Sequence, residues 1–154
     1  MKLLLDTHVL LWWLMDDPRL GAATRGLIAD PANEVWVSAG SLWEIVVKQR
    51  VGKLEGDIRE IVAEVRRNGF RMLDIAPAHL AVLAGLPAHH RDPFDHLLIA
   101  QAIAEGAGFV TQDGRSGQYP VRVVGGGSAL TPVIRERQSP SESQMLPTAD
   151  RPTA

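Results

Sequence analysis

The feature that most constrains this chain is a set of short apolar runs, each too brief for a helix and each followed closely by a polar or acidic residue. Leu3-Leu4-Leu5 leads into Asp6-Thr7, Val35-Trp36-Val37 into Ser38, and Phe109-Val110-Thr111 into Gln112-Asp113. A run without alternation is what a strand needs when both of its faces are covered, as in a parallel sheet between layers of helix. Between the runs the apolar spacing turns helical. Val9, Leu10, Trp12, Trp13 and Leu14 form one such segment, which Asp16-Asp17-Pro18 ends, and Leu20, Ala23, Leu27 and Ile28 form another before a turn at Asp30–Asn33.

The same reading continues down the chain. Thr7 can cap the first helix, and Ser38 or Ser41 the helix carrying Leu42, Trp43, Ile45, Val46 and Val47; if Ser41 is the cap, Glu44 forms a capping box with it. An amphipathic helix runs from about Asp57 to Arg67 and closes at Asn68-Gly69. Phe70–Ile75 alternates like a strand at or near a sheet edge, and Pro77 opens a short helix on which His79 reads as solvated. Asp92 is a strong cap with Pro93 at the first helical position, and Leu97, Leu98, Ile99, Ala102 and Ile103 supply the buried stripe until Gly106 and Gly108. A last strand falls within 121–124. The fold class is α/β, a three-layer α/β/α sandwich with a mostly parallel central sheet.

Residues 1–124 make one domain. From Gly125 onward the chain holds four prolines, four serines, three glycines and no aromatic residue, so 125–154 is expected to be a largely disordered tail. The 154 residues carry 16 basic and 18 acidic side chains, a net charge of -2 that argues against holding nucleic acid by charge excess alone. Cysteine is absent, which removes disulfides, thiolate ligands and cysteine nucleophiles. No apolar stretch reaches membrane-spanning length and the amino-terminal run is too short for a signal peptide, so a cytoplasmic location is expected.

The acids carry the functional argument. Asp6 and Asp113 fall just past strand ends, where side chains of a parallel sheet converge on one crevice. Glu44 and Asp95 fall in the first turns of helices that begin at the same edge, so four carboxylates from four elements can face one volume. Such a cluster is costly without a counter-charge. Oxygen ligands without cysteine suit Mg²⁺ or Mn²⁺, one or two ions, able to activate water against a phosphodiester. Each acid also has an ordinary reading: a turn for Asp6 and Asp113, a capping role for Asp95, and for Glu44 a capping box or an exposed pair with Lys48. Lys48, Arg50 and Lys53, and His89, His90 and Arg91, are local basic runs that can flank the pocket and hold RNA phosphates, or simply be solvated helix ends. Trp12, Trp13 and Trp43 read as core or interface residues, and His8 as a first-turn structural residue.

These residues also resemble a known family. Leu3 to Trp12, Ser41-Leu42-Trp43-Glu44-Ile45 with Lys48, His90-Arg91-Asp92-Pro93-Phe94-Asp95 continuing through Leu97 to Ala102, and Val110-Thr111-Gln112-Asp113 match in order the motifs of PIN domains, in particular VapC-type toxins. The resemblance covers roughly residues 2–124. It implies a Mg²⁺- or Mn²⁺-dependent endoribonuclease whose metal-binding carboxylates are Asp6, Glu44 and Asp95 with Asp113 as the fourth. It places Asp92, Thr7 and Thr111 in capping or supporting roles and His96 where relatives often carry arginine. It also implies a homodimer and a cognate antitoxin. The residues after Asp113, Gly114 to Tyr119, lack the aromatic usual before Tyr119. A catalytically silent binding protein, or a metal-dependent DNase or phosphatase, are the alternatives.

Overall fold

The computed structural model describes residues 1–88, 92–112 and 122–125. The order is β1 (Lys2–Leu5), α1 (Thr7–Leu14), α2 (Ala22–Ala29), β2 (Glu34–Ser38), α3 (Ala39–Arg50), α4 (Ile58–Arg67), β3 (Arg71–Leu73), α5 (Pro77–Ala84), α6 (Pro93–Glu105), β4 (Gly108–Val110) and β5 (Val123–Val124). The strands form one sheet in the order β3-β2-β1-β4-β5, and every pairing is parallel. Helices on both faces complete an α/β/α sandwich.

The apolar runs are buried on both faces, as their lack of alternation requires. Leu3 and Leu5 point into one core with Val9, Leu10, Ile28, Val37, Ile45 and Val65, whereas Leu4 points into the other with Leu98, Ile99, Ala102 and Phe109. Leu3, Leu4 and Leu5 are at most 1% exposed, and burying each side chain contributes about 1.5–3 kcal/mol. The central position of β1 follows from this, since only a strand with neighbours and helices on all sides can bury three leucines in succession.

The strand order places a switch point between β1 and β4. From β1 the chain moves outward through β2 and β3 on one side, then returns by α6 to lay down β4 and β5 on the other. In parallel sheets such a switch point opens a crevice at the carboxyl ends of the strands.

Several caps follow the sequence. Asp92 accepts from the Phe94 and Asp95 amides at the start of α6, with Pro93 at its first position, and Gly106 ends that helix at φ 62°. Asp57 caps α4. Two expectations are corrected. Thr7 is the first residue of α1 rather than its cap: Asp6 holds the cap position and makes no side-chain cap bond, because its carboxylate is turned to Thr111. Ser38, accepting from the Gly40 amide, caps α3, so Glu44 lies in the second turn and forms no capping box with Ser41. Among the described residues, no helix is long and apolar enough to cross a membrane. The expected tail beyond Gly125 lies outside the described residues.

Candidate metal and active site

Asp6 is set at the switch point by backbone and side chain together. Its amide donates to the Val110 carbonyl at 2.9 Å, extending the β1–β4 ladder past the end of β1. Its Oδ2 accepts from the Thr111 hydroxyl at 2.7 Å. Its Oδ1 is buried and has no hydrogen-bond partner among the described residues. Burial pushes the Asp6 carboxyl above its ordinary range; the Thr111 hydroxyl and His8 pull it down, and the charge of Glu44 pushes it further up.

That last influence reflects how α1 and α3 are tied. Thr7 Oγ1 donates to Ser41 Oγ at 3.0 Å inside the protein, one turn before Glu44. Glu44 is 1% exposed. Its Oε2 pairs with Lys48 Nζ at 2.7 Å, and its Oε1 is buried without a partner among the described residues. The i,i+4 pair foreseen as an exposed contact is therefore half inside the protein. Asp6 and Glu44 share one pattern, with one oxygen held and the other desolvated and unsatisfied.

Asp95 lies on a helix of the opposite layer that packs against α3. It is the third residue of α6 and is 7% exposed. The helices meet closely here: a Cβ added to Gly40 in the first turn of α3 would lie 2.8 Å from Leu97 Cδ2. One step along, the Trp43 and Phe94 rings, each preceding an acid in sequence, meet edge to face at 4.8 Å between centroids. The remaining expected residues are more dispersed. His96 is half-buried, Lys48 is taken up by Glu44, and Arg50 and Lys53 are exposed. Asp113, His90 and Arg91 lie outside the described residues. Among the described residues, no group of three or more His, Cys, Asp or Glu side chains is close enough to hold a metal ion.

The fit to a divalent cation rests on the two unsatisfied oxygens. A buried carboxylate oxygen without a donor is costly, and a hard cation with oxygen ligands removes that cost. A small cavity of about 130 Å³ opens beside Asp6, lined also by His8, Val9, Trp12 and Gln112. Gln112 is clamped from two sides, accepting from the Gly21 amide and donating to the Arg19 carbonyl, both at 2.9 Å. This fixes the chain just before Asp113. Sequence reasoning missed the clamp, since a Gln after a strand looks like any loop residue.

A second buried polar system lies behind the sheet, and it overturns the solvated reading of His79. That residue is 1% exposed. Its Nδ1 accepts from the Ala76 amide at 3.0 Å, which leaves Nε2 to donate to Glu105 Oε1 at 2.8 Å. Glu105 also accepts from Lys2 at 2.9 Å, and its carboxyl is held below the ordinary range by the His79 and Lys2 bonds. Gln101 lies within 3.3 Å of His79 Nδ1 and accepts from Ser38, the cap of α3.

Comparison with known proteins agrees with this architecture. The PIN domain family model matches residues 3–121. Ribonuclease VapC22 of Mycobacterium tuberculosis (strain ATCC 25618 / H37Rv) is 32% identical over 115 residues, spanning 73% of this chain and 87% of that protein. Ribonuclease VapC16 of the same organism is 37% identical over 71 residues, 42% of this chain and 50% of that protein. Among solved structures, the fold resembles that of VapBC2 from Rickettsia felis bound to a DNA fragment from their promoter, with a TM-score of 0.62, 17% identity, and coverage of 78% of this chain and 94% of that one. VapBC-1 from nontypeable Haemophilus influenzae gives a TM-score of 0.55 at 14% identity, covering 77% and 91%.

Proposed function

The chain belongs to the PIN-domain family and is homologous to its VapC toxins, and on that premise we propose that it is a divalent-metal-dependent endoribonuclease, the toxin of a toxin–antitoxin pair. The observation that carries the reading is the pair of buried, unpartnered oxygens on Asp6 and Glu44 at the switch point of the sheet. Asp6, Glu44 and Asp95 would hold Mg²⁺ or Mn²⁺, with Asp113 as a fourth acid. When bound, the cation supplies charge neutralisation and lowers the pKa of a water so that it can attack phosphorus.

The chain's own groups do the rest. Thr111 holds Asp6 by one oxygen, and the other would be left to take the cation. Lys48 does the same for Glu44, and its ammonium offsets part of the acidic charge that would repel a phosphodiester. Asp92 starts α6 so that Asp95 stands in its first turn. Arg50, Lys53, His90, Arg91 and His96 are the proposed contacts to RNA phosphates. A second copy of the chain and an antitoxin, whose Arg or Lys can neutralise the acids, are the proposed protein partners. The proposed setting is the cytoplasm, where RNA is available.

The catalytically silent alternative has one observation in its favour, the Lys48–Glu44 pair, which already occupies one carboxylate oxygen. Incubation with RNA, single-stranded DNA and a phosphomonoester under Mg²⁺, Mn²⁺ or EDTA separates the readings. We expect RNA cleavage that needs metal and falls at least about 100-fold in Asp6→Asn and Asp95→Asn. Cleavage that survives EDTA or both substitutions would sink the assignment. Metal uptake by calorimetry without turnover would favour the silent protein.

A further inference from the structure

Trp43 is the one exposed Trp or Phe side chain among the described residues, with 57% of its surface in water. Its neighbours in sequence do not explain this, since Ser41, Glu44 and Ile45 are all buried. Nor is the ring loose: Phe94 meets it edge to face at 4.8 Å and 68°, which fixes the plane of the indole. An aromatic that is both oriented and solvated is held ready for a flat ligand.

Its position says which ligand. Trp43 precedes Glu44 and Phe94 precedes Asp95, so the ring pair bridges the two helices at the level of the acids. Glu44 Oε1, buried and unpartnered, independently marks this place as one awaiting a ligand. Further along α3, Val47 and Arg50 follow Trp43 at four and seven residues, continuing the same face, and Arg50 is exposed. Over seven residues a helix rises about 10 Å, so the face presents a ring and then a cation one to two nucleotides away. That sequence of groups complements a base followed by a phosphate.

We propose that Trp43 and Phe94 form a stacking platform for an unpaired nucleobase beside the scissile phosphodiester, which makes Trp43 a residue that selects the substrate. The proposal rests on the nuclease reading for the scissile bond. A duplex keeps its bases stacked on each other and offers no free face, whereas an unpaired base stacks on any exposed indole. A protein partner is the weaker occupant. An indole offers at most about 250 Å², well short of the roughly 800 Å² per side of a stable interface. The other large exposed apolar residues, Met1, Met15, Val51, Ile75 and Leu80, are scattered over the surface.

The test uses the full chain with Trp43→Ala, Trp43→Phe and Phe94→Leu. Binding of a fluorescent single-stranded oligoribonucleotide is measured by anisotropy in Ca²⁺, and cleavage of RNA and of an abasic ribose–phosphate oligomer in Mn²⁺. We expect Trp43→Ala to weaken RNA binding and raise KM about tenfold with kcat little changed, Trp43→Phe to recover most of the loss, and the baseless diester to be hydrolysed as before. Equal losses on both substrates, unchanged RNA binding, or a changed oligomeric state in Trp43→Ala would each overturn the platform. RNA cleavage indifferent to Trp43 removes the platform and keeps the nuclease. Trp43-dependent binding without cleavage removes the nuclease and keeps the platform.

Discussion

Two polar regions, one behind the sheet and one at its carboxyl edge, are built by opposite rules. Behind the sheet, Lys2, Glu105, His79, Gln101 and Ser38 pass hydrogen bonds from one to the next, and each of these side chains has a partner. At the switch point, Asp6 and Glu44 are as deeply buried yet each keeps an oxygen with none. Buried polar groups are normally satisfied because desolvation without a partner costs about 1–3 kcal/mol. The first region obeys that rule and acts as scaffold. The second breaks it twice, on Asp6 and Glu44, and a bound cation would relieve both. Burial alone therefore does not single out an acid for the proposed site; burial with an oxygen left over does.

Substitutions can break this contrast or sharpen it. The largest effect is expected from His79→Ala, which opens a cavity, strands the Ala76 amide and removes one of the two partners of Glu105: a loss of about 2–4 kcal/mol in a denaturant titration. A loss below about 0.5 kcal/mol would show that the network is not load-sharing scaffold, and the contrast would dissolve.

Asp6→Asn is expected to go the other way. A carboxyl raised on folding holds its proton more tightly in the native chain, so native stability from this group declines as pH rises above its ordinary 3.8. The amide keeps an acceptor for Thr111 and carries no charge. Melting temperature should rise on the order of a few degrees at pH 7–8, with the gain shrinking towards pH 4. Mn²⁺ should raise the melting temperature of the wild-type chain and leave that of Asp6→Asn nearly unchanged. A destabilised Asp6→Asn at neutral pH would mean that the carboxylate is satisfied after all.

Glu105→Gln gives the smallest effect. The lowered Glu105 carboxyl contributes stability above its ordinary 4.5, lost as pH falls through the lower native value. At pH 7 the variant should be less stable by under about 1 kcal/mol, discounted because the side chain is 31% exposed, and the two chains should converge in acid. Parallel pH profiles would remove the charge from the account.

How much of this the sequence discloses depends on whether a signal is local. The Leu3–Leu5 run, the Asp92-Pro93 start of α6 and the Gly106 stop are written within a few adjacent residues, and the structure places them as read. The choice between Ser38 and Ser41 was open because both can cap; the strand runs on to Ser38, and that decides it. His79 was misread because its partner lies 26 residues on, and the helix periodicity around it gives no sign of a buried imidazole. The exposure of Trp43 was equally hidden, since its spacing fits a core stripe. Of the candidate site, Asp6, Glu44 and Asp95 could be named from motif and position, but the division of Asp6 and Glu44 into one held and one unpartnered oxygen exists only in three dimensions.

The bond from Thr111 to Asp6 joins residues 105 apart in the chain. Everything on the amino-terminal side of α6 can be synthesised while the acid at the end of β1 still lacks its tether and its neighbouring strand. A ribosome making this protein thus leaves the Asp6 carboxylate without its Thr111 partner until nearly the whole domain has emerged. The same long-range closure makes the pairing of the last-formed strands a slow step in folding.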